Sequence, residues 1–226
     1  MRQSNANVNF KKAGFLSELP LAEAEELSRV SELRGYPNGC LVFAQGDKMP
    51  GVFVVSKGRL KVFRALGKDK IQVLDVLKPG QCVGEAQLFS DGVAAANAEA
   101  KGNTECWIAP VIPLRQMIQR NPIVAEVMLR RLAAKLCHLI PLVETLSLYS
   151  VPERVAQLVL SRQRESPDSS IVEFRETQKE LAQYIGASRE AFNRGLRLLN
   201  NLGLIQSTFP VIRVNNVEKL IDYTKG

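Results

Sequence analysis

Residues 177–205, TQKELAQYIGASREAFNRGLRLLNNLGLI, decide the fold of the C-terminal part of the chain. Thr177 followed three residues later by Glu180 is a capping box, which predicts that a helix begins here. The apolar stripe of this helix consists of Leu181, Ala182 and Ile185. Gly186 ends the helix because glycine readily adopts the left-handed conformation of a C-cap, and Ser188 is the N-cap of a second helix. Two helices joined by a short turn that contains glycine are typical of a helix-turn-helix.

The second helix, predicted to end near Gly203, has an apolar and a polar side. Its inward side is predicted to consist of Ala191, Phe192, Gly195, Leu196, Leu198 and Leu199. Its polar side consists of Arg189, Glu190, Asn193, Arg194 and Arg197. In the major groove of DNA, arginine recognises guanine, glutamate accepts from cytosine and asparagine pairs with adenine, so this side is predicted to read bases. The alternative is the solvated polar face of a small helical bundle.

The segment Gly-Ala-Ser-Arg-Glu-Ala-Phe-Asn-Arg, residues 186–194, resembles the recognition segment of the Crp/Fnr family of bacterial transcription regulators. The resemblance implies that base edges are read by Arg189, Glu190 and Arg194, and that Ser188 contacts the DNA backbone. It also implies phosphate contacts at the start of the first helix, from Thr177, Gln178 and Lys179. Asn193 stands where relatives often have Gly or Ser, which leaves the half-site sequence open. The family further implies a homodimer on a palindromic operator of double-stranded DNA, with RNA polymerase as a partner.

The composition favours a polyanionic partner. The 226 residues carry a formal net charge of +7 at pH 7, and the pI is about 9.4. No apolar run approaches the length of a membrane helix, and the N-terminal MRQSNANVNF is too polar for a signal peptide. The four cysteines are far apart in the sequence and form no C-x-x-C pair. We therefore expect a reduced protein of the cytoplasm, with no metal site.

Residues 40–107 have the pattern of many short strands. Runs rich in β-branched and aromatic residues occur at 41–43, 51–55, 60–63 and 71–74. Turn residues such as Lys57-Gly58 and Pro79-Gly80 separate them, so an antiparallel barrel or jelly roll is expected. A helix near residues 20–30 precedes it, with an inward face of Leu21, Ala24 and Leu27. The order of these glycines and strands, through Gly84-Glu85, resembles the cyclic-nucleotide-binding β-roll.

The stretch from Pro122 to about Ser150 predicts one long helix with a heptad stripe. Its apolar residues recur at spacings of four and three: Leu129, Leu132, Leu136, Leu139, Val143 and Leu146. A stripe this regular favours a two-stranded coiled coil over packing on the chain's own core, and the family resemblance implies a homodimer joined through this helix. Pro141 lies at an outer heptad position and is expected to kink the helix.

The predicted fold is α+β with three parts. Residues 1–118 form an effector-sensing, cyclic-nucleotide-binding-like β jelly roll, residues 119–150 a dimerisation helix, and residues 151–226 a winged helix-turn-helix. In the last part, a helix stripe is expected at Val155, Leu158 and Val159, and a short strand at 171–174. Residues 205–214 are predicted to form the wing hairpin, and residues 217–223 a last short helix.

The positions that hold a cyclic nucleotide in the family are only partly present. Family sensors bind the phosphate with Gly-Glu and with a later Arg followed by Ser or Thr. Gly84-Glu85 is present, but the later positions are Ala95 and Ala96, which have neither charge nor hydroxyl. A buried phosphate without these partners loses about 1.5–3 kcal/mol per charge-assisted hydrogen bond. We therefore expect that cyclic AMP is not the natural effector and that Gly84 and Glu85 serve turn geometry.

Other effectors stay open. His138, the only histidine, lies on the long helix off the heptad stripe and is a candidate haem ligand, although a lone histidine is usually a surface or packed residue. An iron–sulfur cluster of the family type is not expected, because no cysteine precedes Cys40. A thiol switch at Cys82, Cys106 or Cys137 competes with the simpler interpretation that these are small buried residues. A small organic ligand, or no ligand at all, completes the hypotheses.

Three functions are compatible with such a chain. The first is a sequence-specific, dimeric, DNA-binding transcription regulator whose DNA affinity is controlled by a signal sensed in the β-roll. The second is a nonspecific architectural DNA-binding protein, which would not need Arg189, Glu190 and Arg194 in this register. The third is a jelly-roll metal enzyme, which needs clustered histidine and carboxylate ligands that a chain with one histidine supplies poorly. The sequence therefore predicts a regulator and not an enzyme.

Overall fold

The computed structural model describes residues 14–67, 70–165 and 170–225, which divide into two compact units. The first unit consists of residues 14–64 and 74–139. The second consists of residues 65–67, 70–73, 140–165 and 170–225.

The first unit is built on one six-stranded sheet. Its strands are β1 (Glu32–Tyr36), β2 (Leu41–Phe43), β3 (Gly51–Leu66), β4 (Lys70–Leu77), β5 (Cys82–Val83) and β6 (Asn97–Pro110). The strand order is β1-β6-β3-β4, with β2 also paired to β6 and β5 to β3. The long β6 pairs antiparallel with three strands. The strands pack around an apolar cluster that includes Phe43, Phe53, Leu60, Val62 and Leu77.

The predicted turn at Lys57-Gly58 is wrong. Strand β3 runs through both residues, and its pairing with β6 changes register on either side of Lys57. Gly58 has a φ of +77°, and a Cβ added there would lie 2.6 Å from the carbonyl oxygen of Asn103. The glycine is therefore required for a bulge within one strand, a role that the sequence does not distinguish from a turn between two strands.

Helices complete the first unit. These are α1 (Leu21–Val30), α2 (Val111–Arg120) and the first part of the long α3 (Pro122–Leu148), whose residues 140–148 belong to the second unit. Ala24 and Leu27 of α1 are buried as predicted, but Leu21 is 66% exposed, because it stands in the first turn, beyond the cluster that α1, α2 and α3 form. Helix α3 continues through Pro141 and ends two residues before the predicted Ser150.

The second unit contains the predicted winged helix-turn-helix. Its helices are α4 (Val151–Gln163), α5 (Gln178–Tyr184), α6 (Arg189–Asn201) and α7 (Val217–Tyr223). Its antiparallel sheet, in the order β7-β9-β8, consists of β7 (Ile171–Glu173), β8 (Ile205–Thr208) and β9 (Val211–Val214). Val155, Leu158 and Val159 of α4 are buried in one core with the inward residues of α5 and α6. The hairpin β8–β9 and helix α7 lie where the sequence predicts them.

Candidate nucleic-acid interface and sensor site

The start of α5 is fixed by its predicted capping box. The backbone N–H of Glu180 donates to Thr177 Oγ1 at 3.3 Å, and the Glu180 carboxylate accepts from the backbone N–H of Thr177 at 2.9 Å. The first turn of α5 then presents Gln178, which is half-buried, and Lys179, which is exposed. An exposed lysine beside the free N–H groups of a helix start suits a phosphate group.

The turn between α5 and α6 is set by one glycine and one serine. Gly186 has a φ of +67°, and the following Ala187 donates its N–H to the carbonyl of Ala182 at 2.9 Å, which ends α5. Ser188 Oγ then accepts from the backbone N–H of Ala191 at 3.1 Å and caps α6. Both features were predicted from the sequence.

Helix α6 buries a narrower stripe than predicted. Phe192, Gly195, Leu196 and Leu199 are buried, whereas Leu198 is 41% exposed. Since each helical residue turns by about 100°, Leu198 lies roughly a third of a turn away from the centre of the buried stripe. Leu198 was predicted to face inward because its side chain is apolar, and this prediction is wrong.

The polar side of α6 is open to solvent. Arg189, Glu190, Arg194 and Arg197 are exposed, and Asn193 is half-buried. Among the described residues, no carboxylate lies within ion-pair distance of the three arginines of α6. The pKa of Glu190 is lowered by the hydrogen bond from its own backbone N–H, then by the Ser188 hydroxyl, and further by the charges of Arg189 and Arg194. The face therefore combines cationic donors with one ionised acceptor, all available to a ligand.

Gly195 allows α6 to pack closely on α4. A Cβ added to Gly195 would lie 3.0 Å from Val155 Cγ2 and 3.4 Å from Pro152 Cα. A glycine in the interior of a helix costs about 1 kcal/mol relative to alanine. That cost is offset here by the close approach of the two helices, which holds the polar side of α6 outward.

Arg154 connects the end of α3 to the helix-turn-helix. Its guanidinium donates to the carbonyls of Leu146 at 2.9 Å, Tyr149 at 2.9 Å and Ile185 at 3.2 Å. Leu146 belongs to the last turn of α3, Tyr149 directly follows that helix, and Ile185 is the C-cap residue of α5. One side chain thus satisfies otherwise free carbonyls at both helix ends, and no sequence pattern predicted it.

The heptad stripe of α3 is largely exposed. Leu129 and Leu136 are each 64% exposed, Val143 is 62% exposed and Leu139 is 36% exposed. Leu132 and Leu146 are half-buried. Ile140, 57% exposed, adds to this apolar surface although it lies outside the a/d positions. A row of exposed leucines and valines on one helix is an apolar surface that a protein partner would cover.

Glu85, a predicted sensor residue, is paired inside the first unit. It is 3% exposed, and Lys135 Nζ of α3 lies 3.3 Å from both carboxylate oxygens. The Cys82 thiol donates to the same carboxylate at 3.2 Å, and Lys135 also donates to the Cys82 carbonyl at 2.9 Å. Burial, with the nearby Glu85 charge, raises the pKa of Cys82 well above its usual range. No sequence pattern indicated Lys135, because 50 residues separate it from Glu85.

The backbone conformation and the close packing at Gly84 require a glycine there. Its φ is +106°, and a Cβ there would lie 3.0 Å from the carbonyl oxygen of Gly51 and 3.2 Å from Met49 Cε. Turn geometry and the close approach of β3 therefore suffice to require glycine at this position.

The remaining predicted sensor residues do not assemble a nucleotide or haem site. Ala95 is exposed and Ala96 is 9% exposed, and neither provides a cation or a hydroxyl for a phosphate. The Glu85 carboxylate is already engaged by Lys135, so the residues present do not fit cyclic AMP as the family would hold it. His138 has a 61% exposed side chain, and its Nε2 lies 3.9 Å from Asp75 Oδ1. An exposed imidazole beside a carboxylate lacks the apolar enclosure that haem needs.

No group of three or more histidine, cysteine, aspartate and glutamate side chains in the described part of the chain is placed to hold a metal ion. None of the helices within residues 14–67, 70–165 and 170–225 is long and apolar enough to span a bilayer.

Known proteins resemble this chain in both units. The cyclic nucleotide-binding domain family matches residues 33–121, and the Crp-like helix-turn-helix domain family matches residues 153–223. The cAMP-activated global transcriptional regulator CRP of Haemophilus influenzae is 31% identical over 182 residues, which cover 77% of this chain and 80% of that protein. The CRP-like cAMP-activated global transcriptional regulator of Mycobacterium tuberculosis is 26% identical over 213 residues, 92% of this chain and 95% of that protein.

Solved structures share the fold. The c-di-GMP responsive global regulator CLP of Xanthomonas campestris superimposes with a TM-score of 0.74 at 21% identity, covering 87% of this chain and 100% of that one. The catabolite activator protein of Thermus thermophilus gives a TM-score of 0.52 at 27% identity, covering 94% and 98%. These matches confirm the predicted fold class, a cyclic-nucleotide-binding β-roll followed by a long helix and a helix-turn-helix.

Proposed function

This chain belongs to the Crp/Fnr family of transcription regulators, and from that premise we propose that it binds a palindromic DNA operator as a homodimer. It is a Crp-like regulator with a sensory domain and a DNA-binding helix-turn-helix. The observation that carries the proposal is the exposed side of α6, where three arginines without carboxylate partners among the described residues flank the ionised Glu190.

Each side chain of this interface has a role in the proposal. Arg189, Glu190 and Arg194 contact base edges, since they stand in the N-terminal half of α6, the half that enters the major groove. Asn193 and Arg197 flank them on the same helix. Contacts to the DNA backbone come from Thr177, Gln178, Lys179 and Ser188. Their positions at two helix starts support this assignment, because free N–H groups there favour phosphate.

The homodimer forms through α3 in this proposal. The exposed Leu129, Leu136, Leu139 and Val143, with Leu132 and Leu146, provide the apolar seam that the heptad stripe predicts. Two copies of α6 then meet two half-sites about one turn of DNA apart. RNA polymerase is the partner through which bound DNA is transcribed, and the chain works in the cytoplasm.

Signal transmission runs from the roll to α6 through α3. We assign residues 1–118 to sensing, 119–150 to dimerisation and 151–226 to DNA binding. Arg154 supports this route, since its guanidinium bonds carbonyls at the end of α3 and at the end of α5. A signal that shifts α3 changes the presentation of α6 by this connection. Cyclic AMP is not that signal, because Ala95 and Ala96 replace the family's phosphate partners.

The test compares specific with nonspecific DNA. An operator is first selected from random double-stranded DNA with the full-length protein, and fluorescence anisotropy then measures its affinity against a shuffled duplex at several salt concentrations. Specific regulators prefer their site by about 10³-fold or more at physiological salt. Equal affinity for both duplexes, with the same salt slope, would instead establish the architectural binder.

A further inference from the structure

A cavity of about 530 Å³ opens on the surface of the first unit, at the start of helix α2. Its walls come from three places in the sequence: residues 48–50 before β3, residues 90–92, and residues 110–115 at the junction of β6 with α2. None of the positions that hold a cyclic nucleotide in the family, 84, 85, 95 and 96, lines it. A cavity of this volume suits a small organic molecule.

Hydrogen bonds tie the three walls of this cavity to one another. The backbone N–H of Met49 donates to the Gly92 carbonyl at 2.9 Å, and that of Val111 donates to the Pro50 carbonyl at 3.2 Å. Three of the lining residues are prolines, whose fixed φ further limits movement of the walls. The cavity is therefore preformed, which lowers the entropic cost of binding a ligand.

Neutral groups hold the Arg115 guanidinium in the wall of the cavity. Its Nε donates to the Leu88 carbonyl at 2.7 Å, and Nη2 lies 3.4 Å from the Gln87 carbonyl and 3.5 Å from the Ser90 carbonyl. In the part of the chain that the structure describes, Nη1 makes no hydrogen bond and no carboxylate lies within ion-pair distance of this guanidinium. The positive charge of Arg115 is thus positioned but not compensated, and Nη1 can donate to a carboxylate.

Most of the other lining side chains are apolar. Met49 is buried at 5% exposure, Val111 is half-buried, and Ile112 is 70% exposed. Together with the prolines, these side chains form an apolar wall beside Arg115. Covering such a wall with the apolar part of a ligand is favourable, because it removes apolar surface from water.

The lining carries one net positive charge. Its charged residues are Lys48, Asp91 and Arg115, that is, two cations and one carboxylate. Asp91 Oδ1 accepts from the backbone N–H of Val93 at 3.1 Å, and its carboxylate pairs with neither cation of the lining. A ligand with a single negative charge would balance this lining.

We propose that the cavity binds an organic monocarboxylate with an apolar body. Its carboxylate pairs with Arg115, and its body covers the wall that Met49, Val111 and Ile112 form with the prolines. This inference goes beyond the proposed function, because it does not depend on DNA binding.

The test uses phenylacetate as the probe, because this molecule joins one carboxylate to a rigid apolar ring. Phenethyl alcohol keeps the ring without the charge, and acetate keeps the charge without the ring. Amide NMR spectra of the full-length protein follow the signals of Gly92 and Ile112, which belong to two of the three walls. We expect saturable shifts with phenylacetate, at a Kd in the low millimolar range or tighter, and binding of both control compounds that is weaker by about tenfold or more.

Three variants locate the carboxylate. Arg115→Gln should weaken phenylacetate binding about tenfold and leave phenethyl alcohol binding unchanged, so the alcohol reports whether the cavity is intact. Arg29→Gln is the matched control, because Arg29 is an exposed arginine of α1 outside the cavity. Ile112→Asp tests the site independently, since Ile112 is exposed and an aspartate is favourable in the first turn of a helix. Its charge should repel phenylacetate and abolish the preference for phenylacetate over the alcohol.

The inference is overturned if phenylacetate causes no saturable shift at Gly92 and Ile112, or if acetate or phenethyl alcohol binds as well as phenylacetate. It is also overturned if Arg115→Gln keeps the preference for phenylacetate, because the carboxylate would then lie elsewhere. Should Arg115→Gln fail to fold, the same preference in Ile112→Asp decides the question.

Discussion

Gly195 of α6 lies so close to Val155 of α4 that a single added Cβ would come within 3.0 Å of Val155 Cγ2. The two helices therefore meet almost at backbone distance. This contact explains why a poor helix former stands in the middle of α6. It also fixes the rotation of α6, because the side opposite the buried stripe is the one that carries Arg194 and Arg197 into solvent.

Gly195→Ala should lower the free energy of unfolding by about 1 kcal/mol. Alanine gains about 1 kcal/mol in helix propensity, but overpacking against Val155 costs about 1–3 kcal/mol. Thermal unfolding followed by circular dichroism measures the difference. Asn201→Ala, an exposed position of the same helix, is the control and should not destabilise the protein. A gain of about 1 kcal/mol for Gly195→Ala would show that the helices are not in tight contact.

Arg194→Ala should reduce specific affinity by about 1–3 kcal/mol and relax the preference at one base pair of each half-site. Lys179→Ala is the matched comparison, because a phosphate contact carries no sequence information. It should weaken binding to every duplex about equally and lower the salt slope by about 1. Anisotropy titrations on single-substitution operators measure both effects. Uniform weakening by Arg194→Ala would remove Arg194 from base recognition.

Local signals predicted much of this fold correctly. The capping box at Thr177, the glycine turn at Gly186 and the N-cap at Ser188 depend on residues three or four apart, and each is present in the structure. The wrong predictions concern residues whose conformation is set by contacts with distant parts of the chain. Gly58 lies in a bulge rather than a turn, because its neighbour is the backbone of a strand about 45 residues away.

Long-range contacts of the sensor unit could not be predicted at all. Lys135 and Glu85 are ordinary charged residues in the sequence, and only the packing of α3 against β5 brings them together. Arg64 likewise reaches Ala95 across 31 positions of the chain. From the sequence, the alanines at positions 95 and 96 could be recognised as a loss of the family's phosphate partners. The position of Arg64 beside Ala95 could not be recognised in the same way.

Leu139→Lys should weaken dimerisation. Leu139 is 36% exposed in the single chain, so covering it in the seam contributes about 0.5–1 kcal/mol from each chain. Loss of both contributions, together with a charge placed in the apolar seam, should raise the dissociation constant roughly ten- to hundredfold. Sedimentation at several protein concentrations measures this. Ala134→Lys adds the same charge at an exposed position on the outer side of the heptad and should leave the dimer intact. A tight dimer for Leu139→Lys would place the seam elsewhere.

Lys135→Met should destabilise the protein by about 3 kcal/mol, because it leaves the buried Glu85 carboxylate without its cation. The lower end of the usual range applies, since the Lys135 side chain is 32% exposed. Arg130→Met, on an exposed part of the same helix, is the control and should cost well under 1 kcal/mol. The double variant Glu85→Gln/Lys135→Met should recover part of the loss. If it is no more stable than Lys135→Met alone, the two side chains are not coupled.

Because of Cys106, the free energy of unfolding should fall as the pH rises above about 8.5. Burial raises the pKa of this thiol to about 12, whereas an unfolded cysteine titrates near 8.5. Between these values the unfolded state loses its proton and the folded state keeps it, so the unfolded state binds fewer protons and stability falls as pH rises. The loss from pH 8 to pH 10 is about 2 kcal/mol for this thiol.

The quantity to measure is the difference between the free energies of unfolding at about pH 8 and about pH 10. Cys106→Ala leaves a small cavity and lowers stability at both pH values, but it should make that difference about 2 kcal/mol smaller. Cys137→Ala is the control, because Cys137 is exposed and its removal should leave the difference unchanged. An unchanged difference in Cys106→Ala would mean that the thiol ionises in the folded protein, and Cys106 would then become a candidate for the redox switch that its burial now argues against.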